Sequence, residues 1–304
     1  MRESGDAPPV GDSKPGANAG LGRARGIVLV EGLPGSGKST QAGELAGWLS
    51  ASGLGVQQWA EGRPDHAVDC ENVSLLSDDA FARIRHEDPE SWRELRARAE
   101  RYPDVWLVRR TDELKLPEPL AAQIRSLDAY DGMIPPELHA RVLSESWRRY
   151  GSGVPASDVQ IWECVLIQNP VCAFIARFDQ PAASLTAHVQ GLVDAVRDHR
   201  PILVYLDPGE PEAVLRRAAA DRPQWWLDFV IQYHTGQGYG LRRGLAGFDG
   251  YVEFMRMRRS LELKMLPRLD LPTLLVRTDE EPVEATRARV RAFVRDQVVA
   301  GESD

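Results

Sequence analysis

The sequence predicts an α/β fold, a five-stranded parallel sheet with helices packed on both of its faces, and three observations lead to it. Short apolar runs alternate along the chain with stretches of helical periodicity. No two of those runs are joined by a hairpin turn, so successive strands connect through helices and run parallel. Finally, Gly32-Leu33-Pro34-Gly35-Ser36-Gly37-Lys38-Ser39 lies where the first apolar run gives way to the first helical pattern.

The elements follow in order. Ile27-Val28-Leu29-Val30 reads as a buried strand, and Ala42, Leu45, Ala46 and Leu49 mark the inner face of the helix after the glycine loop. Gly53-Leu54-Gly55 ends that helix, and a second strand is expected over 56–61. Residues 72–155 carry helical segments near 80–85, 91–101 and 136–150, with one short strand at 105–108, and we read them as a helical insertion. Val159-Gln160-Ile161-Trp162-Glu163 is the third core strand. A helix over 182–198 presents Leu185, His188, Val189, Leu192, Val193 and Val196 on one face, where His188 reads as a packing residue. Pro201 through Asp207 is the fourth strand, and a helix bearing Arg216, Arg217 and Arg222 begins near Glu210. Between Asp221 and Phe248 come two adjacent tryptophans, a histidine and three alternate glycines, a pattern read as a mobile lid over 221–247. A helix from Tyr251, a last strand over 272–277 and a final helix with Val290, Phe293, Val294 and Val298 complete the core. The expected organisation is therefore a flexible tail over 1–25, a core formed by 26–71 and 156–300, and a substrate lobe over 72–155.

Composition narrows the function. The chain has 304 residues and a formal net charge of −8, which argues against nucleic acid or an anionic membrane as the main partner. Cys70, Cys164 and Cys172 are odd in number, dispersed and without CxxC spacing, so a reduced, cytoplasmic protein without structural zinc is expected. The N-terminal segment lacks the apolar stretch of a signal peptide, and no run reaches the length of a membrane span.

The octapeptide fits the pattern GxxxxGK[ST]. Gly32, Gly35 and Gly37 allow a turn tight enough for successive N–H groups to point at one anion. The Lys38 ammonium then suits β/γ-phosphates, and the Ser39 hydroxyl suits Mg²⁺. With Pro34, Ser36 and Thr40 beside them, these residues predict a nucleotide site at a helix N-terminus.

The chain resembles the nucleoside and nucleotide kinase branch of P-loop proteins, thymidylate and deoxynucleoside kinases especially. The likeness lies in Glu31 through Thr40, in Pro201 through Asp207 with Arg217 and Arg222 on the helix that follows, and in Tyr251-Val252-Glu253-Phe254. It covers about residues 26–62 and 158–298 and leaves 72–155 unmatched. One departure stands out: those families carry an acidic residue followed by Arg after strand three, whereas here Glu163 precedes Cys164. Kinases that modify antibiotics share the same core.

The resemblance implies a three-layer P-loop fold that transfers the γ-phosphoryl group of ATP with Mg²⁺. It makes Glu61 the candidate base, with Asp65 and His66 nearby as substitutes, and Glu163 a magnesium or acceptor contact. Arg217 and Arg222 are candidates for ATP phosphates or adenine, and Thr278 and Asp279 for the adenine site. Asp207 is read as chiefly structural, Arg242 and Arg243 as lid arginines, and Trp225 and Trp226 as packing residues. Acceptor specificity is expected in 72–155, with Trp92, Tyr102, Trp106, Tyr130 and Trp147 as candidate pocket aromatics. The expected activity is phosphorylation of a hydroxyl on a nucleoside-like compound or natural product. A nucleoside monophosphate kinase and a regulatory NTPase are the alternatives, and a homodimer is compatible with the sequence.

Overall fold

The computed structural model describes residues 24–299, apart from 64 and 112. The expected tail over 1–25 lies outside the described residues except at its last two positions. The chain runs β1 (Gly26–Gly32), α1 (Lys38–Ala51), β2 (Val56–Trp59), β3 (Val73–Leu76), α2 (Asp78–Glu87), α3 (Pro89–Arg98), β4 (Ala99–Arg101), β5 (Trp106–Arg109), α4 (Glu118–Arg125) and α5 (Pro136–Gly151). It continues through β6 (Val159–Glu163), α6 (Gln168–Val171), α7 (Ala182–Ala195), β7 (Pro201–Asp207), α8 (Pro211–Ala220), α9 (Gln224–Thr235), α10 (Gly238–Arg242), α11 (Gly247–Met265), β8 (Thr273–Arg277) and α12 (Val283–Val294).

Five strands form one all-parallel sheet in the order β2-β6-β1-β7-β8. Strand pleating sorts their side chains into two cores. Ile27 and Leu29 of β1 join Trp162, Leu203 and Tyr205 against Trp147 of α5, Leu185 and Leu192 of α7, and Phe254 of α11. Val28 and Val30 join Ile161 and Val204 against Ala42, Leu45 and Leu49 of α1 and Val290 and Val294 of α12. The sheet is thus covered on both faces, as three layers require. Because β1 is central and the chain leaves it toward both edges, the crevice at its carboxyl end is where an open α/β sheet takes ligands.

The insertion holds the expected short strand, as β5, but departs from the expectation of an otherwise helical lobe. It holds a three-stranded antiparallel sheet, β3-β5-β4, as well as α2 to α5. β3, Val73-Ser74-Leu75-Leu76, is buried along its whole length and so lacks the alternation that identifies a strand. β4 is Ala99-Glu100-Arg101, an edge strand without strand-forming residues, defined by its pairing to β5. One face of this sheet adds Val73, Leu75 and Leu107 to the main core. The other covers a smaller core of Leu76, Phe81, Ile84, Leu95, Val108 and Ile124.

Residues 221–247, the expected lid, are mostly α9 and α10. A Cβ at Gly238 would lie 2.0 Å from the carbonyl oxygen of Arg177, and one at Gly240 would lie 2.3 Å from that of His234. These glycines permit close packing of α10 on the preceding helices. Arg242 and Arg243 both pair with Asp179.

Candidate active site

The fully buried β1 ends at Gly32, and the chain turns through Leu33–Gly37 into α1. The turn has a steric requirement: a Cβ on Gly32 would lie 2.3 Å from the Leu206 carbonyl oxygen, and Gly37, which precedes the helix, has φ 93°. Lys38 folds back over the turn and its Nζ donates to the carbonyls of Gly32 (3.0 Å) and Leu33 (3.1 Å). Ser36 Oγ is buried without a partner.

This turn opens on a cavity of about 850 Å³. Pro34, Gly35, Gly37, Lys38, Ser39 and Thr40 line it, as do Arg217 and Arg222 from α8 and the turn after it. Arg222 lies 4.3 Å over the ring of Trp226, another wall residue. Among the described residues neither arginine forms an ion pair. Gly32 and Ser36 stand behind the lining; Gly32 contributes the carbonyl that holds Lys38.

Glu61 lies two residues past β2 and faces the cavity. One of its oxygens accepts from Gln168 Nε2 and the other from the Cys164 thiol at 3.3 Å. Gln168 is held because Glu31, fully buried, accepts three backbone N–H groups at the start of α6: Leu166 (2.7 Å), Ile167 (3.0 Å) and Gln168 (3.1 Å). Burial raises the Glu31 pKa to about 7 against those three hydrogen bonds. Glu163 ends β6 beside Val30 of β1; Gln58 Nε2 donates to one of its oxygens at 2.9 Å, while the other is buried and unpartnered. Glu163 itself does not line the cavity.

Several candidates lie elsewhere. Asp65 pairs with Arg63 on the surface. His66 is sandwiched edge-on by Trp59 and Trp162, and burial lowers its pKa to about 3. Asp207 is clamped by Arg259 at 2.6 and 2.7 Å and also accepts the Gly209 N–H, a structural role. Thr278 donates its N–H to the Asp207 carbonyl and Asp279 pairs with Arg277, so both lie outside the cavity wall. Of the five insertion aromatics, Tyr130 lines the cavity. Trp106 stacks on Phe81, Trp92 packs beside it, Tyr102 bonds Ser146, and Trp147 packs on Trp162.

The sequence reading missed much of the remaining wall. Glu71, Asn72, Arg110, Arg125, Asp128 and Asp131 enter from the insertion and its edge. Gln168, His234, Tyr251 and Arg258 come from α6, α9 and α11. Arg258 is buried, pairs with Glu262 at 2.6 Å, and keeps Nη2 unpartnered; Glu262 also accepts from Tyr205. Burial works against its charge, yet Glu262 beside it raises the Arg258 pKa above the usual range. The stripe Tyr251, Phe254, Met255, Arg258, Glu262 placed two charges four residues apart on an apolar helix face, a legible sign of a buried pair. Burial also raises all three thiols, Cys172 to about 11, which favours the neutral thiol at each.

No family model and no curated protein matches the chain. Among solved structures it is similar to a protein of Silicibacter sp. TM1040 that carries the provisional designation of a fructose transport system kinase. The identity is 20%, over 88% of this chain and 92% of that one, with a TM-score of 0.26. Among the described residues no helix is long and apolar enough to cross a membrane.

Proposed function

We propose that this chain is a P-loop kinase that uses ATP and Mg²⁺ to phosphorylate a hydroxyl of a small molecule. The observation that carries the reading is one cavity with Lys38 and the N-terminus of α1 in its wall and the Glu61 carboxylate in the same wall. Lys38, Arg217 and Arg222 supply positive charge for the triphosphate, and the N–H groups of the glycine turn add an anion cradle. The acceptor oxygen bonds to the γ-phosphorus as the bond from that phosphorus to the bridging oxygen of ADP breaks. Glu61, oriented by Gln168, takes the hydroxyl proton. For Mg²⁺ the wall offers the exposed Ser39 hydroxyl, a hard oxygen that phosphates and waters would complete, and Glu163, behind the wall with one oxygen unpartnered, would act on the ion through a bound water. When bound, the ion neutralises phosphate charge.

The test is incubation with ATP and a pooled library of nucleosides and natural products, read by mass spectrometry. A product heavier by one phosphoryl group is expected. ATP consumption with inorganic phosphate as its sole destination would replace this reading with a hydrolase.

A further inference from the structure

The cavity is electrically polarised. At the glycine turn it presents Lys38, Arg217 and Arg222, none of them ion-paired among the described residues, against one carboxylate there, Asp221. At the insertion end its two arginines are already engaged, Arg110 with Asp128 and Arg125 with Glu118. What remains there is Glu61, Glu71 and Asp131, three carboxylates in no ion pair among the described residues. Burial and the neighbouring Asp69, Glu61, Asp128 and Asp131 raise the Glu71 pKa to about 7, the mark of carboxylates crowded without a cation.

A second observation is independent of charge. The wall holds polar atoms that are buried and unpartnered: Gln168 Oε1, His234 Nε2, Tyr251 OH and Arg258 Nη2, in residues at least nine-tenths buried. Gln168 Oε1 is an acceptor. His234 Nδ1 lies 2.7 Å from the Val230 carbonyl and donates to it, which leaves Nε2 a bare acceptor. Arg258 Nη2 is a donor whose charge Glu262 already balances. Such groups are costly to bury unless a ligand completes them.

Resting on the kinase reading above, we infer that the acceptor is a hydroxylated molecule bearing a protonated amine, an amino sugar, aminocyclitol or amino alcohol by class. Its ammonium sits at Glu71 and Asp131, and its hydroxyls meet Gln168, His234, Tyr251 and Arg258. The same charges repel a phosphomonoester, which separates this acceptor from a nucleoside monophosphate.

Three pools test it: amino sugars and aminocyclitols, the same compounds N-acetylated, and the same compounds as phosphomonoesters. Each is assayed for thermal stabilisation without ATP and for phosphoryl gain with ATP, while binding of a fluorescent ATP analogue is followed separately. The amine pool should stabilise the protein and be phosphorylated, with KM at least about tenfold below the N-acetylated counterparts. In Glu71→Gln/Asp131→Asn that preference should shrink to about threefold or less. Equal or better handling of the acetylated or phosphorylated pool overturns the inference, as does failure of the amines to bind a protein that binds the ATP analogue. Amine binding without ATP binding would uphold the amine site at Glu71 and Asp131 and overturn the kinase reading, and with it the acceptor role.

Discussion

At the scale of the residue, Lys38 is held by two backbone carbonyls and has its ammonium at the cavity wall. Lys38→Ala should leave the fold intact by circular dichroism and reduce turnover at least ~100-fold, as removal of a charge stabiliser does. Glu61→Gln keeps the shape and the bond to Gln168 but cannot take a proton. Its kcat should fall ~100-fold or more while ATP affinity, measured by equilibrium binding, stays the same. Glu71 gives a prediction of a different kind. A carboxyl with a pKa near 7 in the folded state and 4.5 as its ordinary value binds a proton that the unfolded chain releases. Its cost to stability therefore grows as pH rises from the lower value to the higher and is complete above it. Glu71→Gln should raise Tm at about pH 8.5 and have much less effect at about pH 4, as differential scanning calorimetry would show. Lys38 and Ser39 were legible in the sequence because a glycine turn at a helix start is built from consecutive residues. Gln168, His234 and Arg258 were not, because topology alone brings α6, α9 and α11 to the same cavity.

At the scale of the element, alternating strands and helices made the core readable, since each core strand is an apolar run between polar turns. β2 stops at Trp59, which places Glu61 in the turn beyond the strand and free to face the cavity. The antiparallel sheet was largely hidden, because β4 exists through its pairing with β5 rather than through its own residues. The glycines over 236–240 were legible as special positions, but their reason is contact with neighbouring backbone. Gly238→Ala should cost about 1–3 kcal/mol by overpacking against Arg177, read from urea denaturation. The same anchoring divides the expected lid. Hydrogen exchange should slow in α9, whose Trp226, Phe229 and Tyr233 line the cavity, when ATP and acceptor are both bound. It should change little in α10, which Asp179 already fastens through Arg242 and Arg243. Equal slowing in both helices would show that they close as one unit.

At the scale of the whole molecule, the Arg258–Glu262 pair lies between the cavity and the sheet, and Tyr205 of β7 donates to Glu262. Glu262→Gln leaves a buried guanidinium without its counter-charge and should lower unfolding free energy by about 3–5 kcal/mol. The double change Arg258→Met/Glu262→Leu should restore most of that in the same denaturant titration while weakening acceptor binding. The overall architecture was legible because one sheet organises it. The charge polarity of the cavity was not, since its acidic end is assembled from positions 61 and 71, ten residues apart in the β2–β3 connection, and position 131 in the α4–α5 connection. The small antiparallel sheet has a consequence for how this protein can change over generations. Its inner residues, Val73, Leu75 and Leu107, belong to the main core, so the lobe cannot be exchanged wholesale without unsettling the sheet beneath it. The turn at its edge is different. Asp128 accepts the N–H groups of Tyr130 and Asp131, both at 2.8 Å, so the backbone there keeps its course while the exposed Asp131 side chain remains replaceable. New substrate preferences can therefore arise one side chain at a time at 71 and 131, a route by which a lineage diversifies its chemistry without first losing its fold.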